Sequence, residues 1–185
     1  MKSLSQMSLE ELWKLFPIYL TEPQEAWTQW YEEEKNQIDQ ILAYKDVQIH
    51  HIGSTAIHGI WAKPIIDILI ELPFPALLQN AKEQLCSHGY LCMSQQKNRI
   101  SLNKGYSQKG LAQKVFHVHL RLSGDHDEIY FRDYLNAFPP IAKEYETLKL
   151  SLWTKYEFDR DEYTNQKAEF VTKYTQLAKA RHHKE

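Results

Sequence analysis

Apolar residues recur at helical spacing at Trp27, Tyr31, Ile38, Ile41 and Leu42, and from Val47 onward they fall into short β-branched or alternating runs. Thr21 and Gln24, with Pro23 between them, mark the start of that helix, and about Tyr44 marks its end. Ahead of it, Ser8 and Glu11 form a capping box for a short helix that Pro17 stops after Phe16, so residues 1–20 read as a helical arm. Residues 47–52 read as a strand that Gly53 terminates. Residues 63–72, KPIIDILIEL, have the nearly continuous apolar character of a strand covered on both faces, with Asp67 as the interior charge.

Beyond Pro73 and Pro75 the spacing is helical up to Gly89, a C-terminal cap. Three strands are expected next, at 90–94, 99–103 and 114–121, with Gly105 and Gly110 in a loop before the last. In that last strand Phe116, Val118 and Leu120 alternate with His117, His119 and Arg121, which gives it one polar face. From Asp125 the pattern is helical to Phe138, is broken at Pro139 and Pro140, resumes over 141–157 and closes with a last helix after Asp159. Tyr134, Phe138, Leu148, Leu152 and Phe170 supply the core stripes of these helices. Strands first and helices later predict an α+β fold, mainly helical over 122–185. No repeat, low-complexity tract or linker divides the chain, so 1–185 reads as one domain with a tail, RHHKE, expected to fray.

Composition narrows the function. The 185 residues carry 22 basic and 24 acidic side chains and a formal charge of -2, so no global field would hold nucleic acid, and a nucleic-acid partner is not expected. No apolar run suits a signal peptide or a membrane span, which points to a cytoplasmic protein without a membrane partner. Eleven Tyr and five Trp favour aromatic-lined grooves. Cys86 and Cys92 fit no metal-finger spacing and read as reduced core thiols.

Four features carry candidate chemistry. The turn Gly53-Ser54-Thr55 joins two strands and either points backbone N–H groups at a phosphate or merely caps a short helix. Asp67, inside an apolar strand, needs a partner or a cation; with period two it shares a face with Ile65, Leu69 and Glu71. His117 and His119 project from one strand face, and with Asp67 and with His51 before the glycine turn they form a donor set for Zn, Mn or Fe, or else are ordinary hydrogen-bonded cleft groups. Lys63, at the head of the Asp67 strand, pairs with a ligand phosphate or a neighbouring carboxylate.

The run HIGSTAIHGIWAKPIIDILI resembles the GrpB-like family, as do HVHL at 117–120, FRDYLNAFPPIAKEYETLKLSL at 131–152 and YTNQKAEFV at 163–171. The resemblance implies a polymerase-beta-like nucleotidyltransferase fold, a mixed sheet packed against helices. It places Gly53 and Ser54 in the phosphate turn and Asp67 in the first metal-carboxylate position, as catalytic anchor. It also admits a CoA-like or adenine nucleotide ligand, because a related domain is found fused to dephospho-CoA kinases. Arg132, Asp133, Lys149, Tyr163 and Lys167 match the family-like segments; of these, Arg132 and Lys167 are taken as phosphate contacts and the remaining helical cations as a solvated face. Two departures touch the ligand turn: His58 stands where Pro is expected and His50 where an acidic residue is common. A third bears on mechanism, since the second metal carboxylate is replaced by Leu69, and Glu71 lies too far on to substitute.

Three functions follow. The first is binding of a phosphate-bearing small molecule or nucleotide, with nucleotidyl or phosphoryl transfer assisted by a divalent metal (Mg, Mn or Zn). The second is a non-catalytic nucleotide- or anion-binding module, and the third a His/Asp metal-dependent hydrolase.

Overall fold

The computed structural model describes residues 6–182. Its elements, in chain order, are α1 (Leu9–Leu15), α2 (Ala26–Leu42), β1 (Gln48–Ile52), a 3₁₀ turn (Ser54–Ala56), β2 (Ile65–Leu72), α3 (Pro75–Ser87), β3 (Leu91–Gln95), β4 (Arg99–Ser107), β5 (Gly110–Leu122), α4 (Asp127–Ala137), α5 (Pro139–Tyr156), α6 (Arg160–Asn165) and α7 (Ala168–His182). The first five residues of the expected arm and the last three of the expected fraying tail lie outside the described residues.

The five strands form one mixed sheet in the order β1-β2-β5-β4-β3, with β2 and β5 parallel and the other pairs antiparallel. Strand period two sorts the side chains. Ile66, Ile68 and Ile70, with Phe116, Val118, Leu120, Ile100 and Leu102, turn toward α2 and α3, where Ile38, Leu42, Leu78, Ala81 and Leu85 complete the larger core. At about 2 kcal/mol per fully buried aliphatic side chain, this face anchors the sheet. The opposite face carries Asp67, His117 and His119 and is roofed by α4 to α7, whose own core joins Phe131, Leu135, Ala142 and Tyr145 to Tyr174, Ile57 and Ile60.

The capping box of α1 is present, with Ser8 Oγ accepting from Glu11 N and Glu11 Oε2 accepting from Ser8 N. Elsewhere tertiary contacts revise the local signals. Thr21 does not cap α2; it exchanges backbone hydrogen bonds with Ala62, so an apparent cap ties the N-terminal segment to the entry of β2. Pro139 starts α5 at its first turn, where a missing N–H costs nothing. The last helix is two, α6 and α7. Cys92 is exposed on β3, and Cys86 half-buried, so only Cys86 packs against a core.

The loop expected around Gly105 and Gly110 is a continuation of the β4–β5 hairpin. Gly105, at φ +94, marks a break in register between Lys104 and Tyr106. This bulge changes which face the next side chain meets. Lys104 reaches Glu34 on α2 at 2.7 Å, whereas Tyr106 comes out on the Asp67 face.

Candidate functional site

Cross-strand register arranges the site face in rows. One row runs Ile52, Asp67, His117, Asn103; the next runs His50, Leu69, His119, Ser101; the third runs Gln48, Glu71, Arg121, Arg99. Asp67 Oδ1 lies 3.2 Å from His117 Nδ1 and 3.8 Å from His119 Nε2. Burial pushes its carboxyl pKa up, but the hydrogen bonds and charges of the two imidazoles outweigh that and hold it below the usual range. The Asp67 side chain keeps 27% of its surface, so solvent and a ligand reach it.

Gly53 is required by that carboxylate. Its φ is +72, and a Cβ there would overlap Asp67 Oδ2, so only glycine lets the turn close over the acid. Ser54 follows, facing the Tyr145 hydroxyl and bordering the open clefts on both sides of Asp67. Thr55 points the other way. Its buried hydroxyl donates to Ile65 O at 3.2 Å and meets His51 Nε2 at 2.9 Å, so it staples the turn to β2.

His51 pairs in register with Ile68, on the face covered by α2 and α3, and stacks on Tyr31 with ring centroids 4.7 Å apart. Burial brings its pKa down to about 4, so it is a neutral packing group on the far side of the sheet from Asp67. Arg132 is also drawn elsewhere: it donates from Nη1 to His51 O at 2.7 Å and pairs with Asp133. The expected set Asp67, His117, His119 is brought together; His51 and Arg132 are not.

One cleft of about 210 Å³ is lined by Ser54, Asp67 and His117, and by the cations Lys63, Lys149, Arg160 and Lys167. Lys63 and Lys167 flank the Tyr163 ring, with Nζ 4.5 and 4.4 Å from its centroid. Lys149 is the clearest departure from sequence expectation. Rather than lying on a solvated helix face it is 1% exposed, and it donates to Trp61 O at 2.5 Å. Among the described residues none of these four cations forms an ion pair with a carboxylate within 4 Å, and Arg160 Nε is buried without a hydrogen-bond partner. Burial, then mutual repulsion, lowers the Lys63 pKa well below its ordinary value and brings Lys149 down to about 7. Burial brings Lys167 down to about 8, with Asp67 opposing.

Tyr106 and Arg160 were invisible as site residues in the sequence; the signal for Tyr106 was a glycine inside a strand pattern. The Tyr106 hydroxyl lies 2.8 Å from His117 Nε2 and accepts from Arg160 Nη1 at 3.2 Å, which gives a chain Arg160–Tyr106–His117–Asp67. A second, wider cleft of about 590 Å³ shares Ser54, Asp67, Thr164 and Lys167 with the first and adds Phe131, Val171 and His119. Glu71 is 3% exposed and fully engaged: it accepts from Gly124 N at 2.7 Å and meets His126 Nδ1 at 2.9 Å and His50 Nε2 at 3.1 Å. Among the described residues no three His, Cys, Asp or Glu side chains are gathered as a ready-made metal cage, and no helix is long and apolar enough to cross a membrane.

Comparison with known proteins agrees with this architecture. The solved structure of the conserved protein GrpB from Enterococcus faecalis superposes with a TM-score of 0.77 at 29% identity, covering 89% of this chain and 99% of that one. The Cid1 poly(U) polymerase shares the fold with a TM-score of 0.52 at 11% identity, over 80% of this chain and 46% of its own. In sequence, the UPF0157 protein YqkA of Bacillus subtilis (strain 168) is 35% identical over 158 residues, 84% of this chain but only 45% of its own length. The glutamate-rich protein GrpB of Alkalihalophilus pseudofirmus is 37% identical over 160 residues, which cover 83% of this chain and 91% of the relative. The family model described as GrpB protein matches residues 17–177. With a nucleotidyltransferase-like mixed sheet behind a site of this composition, the chain belongs to the GrpB family.

Proposed function

We propose that the cleft between Asp67 and α5–α6 binds a phosphate-bearing small molecule or nucleotide. The observation that carries this reading is the convergence of Lys63, Lys149, Arg160 and Lys167 on a cleft whose lining holds one carboxylate, Asp67. Buried and half-buried lysines out of ion-pair reach of a carboxylate are costly, and an anion of two or more charges would supply close partners and favour their protonated forms. The Cid1 poly(U) polymerase, a fold neighbour solved with MgGTP, holds a nucleotide on a similar fold, which favours a nucleotide over a simple anion by analogy of fold.

Nucleotidyl or phosphoryl transfer is the further step that the position of Asp67 would serve. Binding without transfer is the reading that Leu69 favours, since this residue is 0% exposed and fills the place of a second carboxylate. Nothing in the relatives supports a hydrolase. Calorimetry with pyrophosphate, ATP and CoA in the presence of a chelator tests binding; labelled nucleotide with Mg2+ or Mn2+ tests transfer. Binding that Lys63→Met and Lys167→Met each weaken at least tenfold is expected. Equal affinity in parent and variants would refute the lysine cleft as the phosphate site.

A further inference from the structure

The fold implies a pair of Mg2+ ions on two neighbouring carboxylates, and the residues here do not fit that group. Magnesium demands near-octahedral oxygen ligands. On the site face β2 offers Asp67, then Leu69 sealed from solvent, then Glu71 already held by Gly124, His126 and His50. Asp127, in the wider cleft, is ion-paired with Lys179 at 2.7 Å. No second free carboxylate stands beside Asp67 among the described residues.

Imidazole stands there instead. His117 is the register partner of Asp67, and His119 is the register partner of Leu69, so His119 flanks the position from which the second carboxylate is missing. We propose that Asp67, His117 and His119 hold a single borderline divalent ion, of the Zn2+ or Mn2+ type, in place of the magnesium pair. Two ligands bound at 2.0–2.2 Å around a tetrahedral ion stand about 3.3–3.6 Å apart. The observed separations of 3.2 and 3.8 Å bracket that range, so each imidazole nitrogen stands near ligand-pair distance from the Asp67 oxygen, and the three donors would close together on the ion as it binds. One carboxylate oxygen and two imidazoles suit a borderline ion and not magnesium.

Tyr106 fits the outer layer of such a site. With Nδ1 on the ion, His117 carries its proton on Nε2 and donates it to the Tyr106 oxygen 2.8 Å away, while Arg160 donates to the same oxygen. Tyr106 is then a positioning residue that fixes the His117 tautomer and ring angle. The ion keeps open positions toward the cleft, because the Asp67 side chain is 27% exposed and borders both cavities.

This inference concerns the Asp67 end of the same cleft and does not require the phosphate reading; the metal is tested alone. Chelator-stripped, untagged protein is titrated calorimetrically with Zn2+, Mn2+ and Mg2+ in the absence of phosphate. One Zn2+ or Mn2+ per chain is expected, bound at least tenfold tighter than Mg2+. Asp67→Asn and His119→Gln should each weaken it at least tenfold and Tyr106→Phe about tenfold, with His50→Gln unchanged. On the parent protein, nitrogen-15 spectra should show His117 without a proton on Nδ1 and with one on Nε2 once Zn2+ is added, a change that a merely structural histidine would not make. Absence of saturable Zn2+ and Mn2+ binding to the parent, equal preference for Mg2+, or binding that persists in Asp67→Asn and is lost in His50→Gln would each overturn the proposal.

Discussion

Replacing Lys149 by methionine isolates the cost of holding a cation beneath the sheet. The side chain is 1% exposed, and its Nζ lies 4.8 Å over the Tyr145 ring and donates to Trp61 O. Burial first, then the charge of Lys167, brings its pKa from 10.5 down to about 7. In the unfolded chain the amine titrates at its ordinary value. Between pH 7 and 10.5 the unfolded state therefore holds more protons than the folded one, and stability rises with pH across that window. Below pH 7 both states are protonated and the folded state bears the full cost, about 5 kcal/mol from the separation of the two values.

Methionine removes that cost and keeps most of the stem packing, but leaves Trp61 O without its donor, a loss of about 1–3 kcal/mol. Lys149→Met is thus expected to be more stable than the parent by about 2–4 kcal/mol at pH 6, with the difference shrinking as the pH is raised. Urea denaturation of both proteins at pH 6, 7.5 and 9 measures it. The same variant should lose at least tenfold in pyrophosphate affinity at pH 7, since it removes one of the four cations that line the cleft. A stability difference that is flat with pH, or a variant less stable than the parent at pH 6, refutes the reasoning.

Two further outcomes are expected. Gly53→Ala, at φ +72 and in collision with Asp67 Oδ2, should lower stability by about 1–3 kcal/mol and displace the carboxylate, read as a lower thermal midpoint together with lost metal or nucleotide binding. For Glu71, burial raises the pKa, but the Gly124 N–H and His126 hold it below 4.5 on balance; its stabilisation is present above that pH and is lost as pH falls through the folded value. Glu71→Gln should flatten the acid limb of a thermal-midpoint profile between pH 6 and 3, and an unchanged limb would place acid sensitivity elsewhere.

Much of the site face was legible from period two alone. The β-branched run at 65–72 and the alternation at 116–121 specify which residues share the site face, and two polar faces of that kind are satisfied by lying side by side, as Asp67 and His117 do. What local pattern cannot carry is burial decided by distant elements. Lys149 and Arg160 look like any cations on amphipathic helices, and only the docking of α5 and α6 over β2 encloses them. His51 has the same composition and strand setting as His50, yet one residue of register puts it against Tyr31 on the opposite face. Tyr106 required a bulge, and a glycine between polar residues reads as a loop until a partner strand is seen beside it.

The three rows of the site face also bear on which chemistry the shared fold can carry in this chain. Leu69 is flanked in register by His50 on one side and His119 on the other, so the leucine separates two His–carboxylate clusters, Asp67 with His117 and His119, and Glu71 with His50 and His126. A carboxylate at position 69 would lie between two imidazoles and join the clusters into one strip of acid and histidine along β2. An apolar residue there keeps them electrically apart. Glu71 then serves to lock β1, β2 and the segment entering α4 through Gly124 and His126. Asp67 remains the one carboxylate of β2 facing an open cleft, and in the smaller cleft any chemistry has to be built around that acid, His117 and the cations across from them.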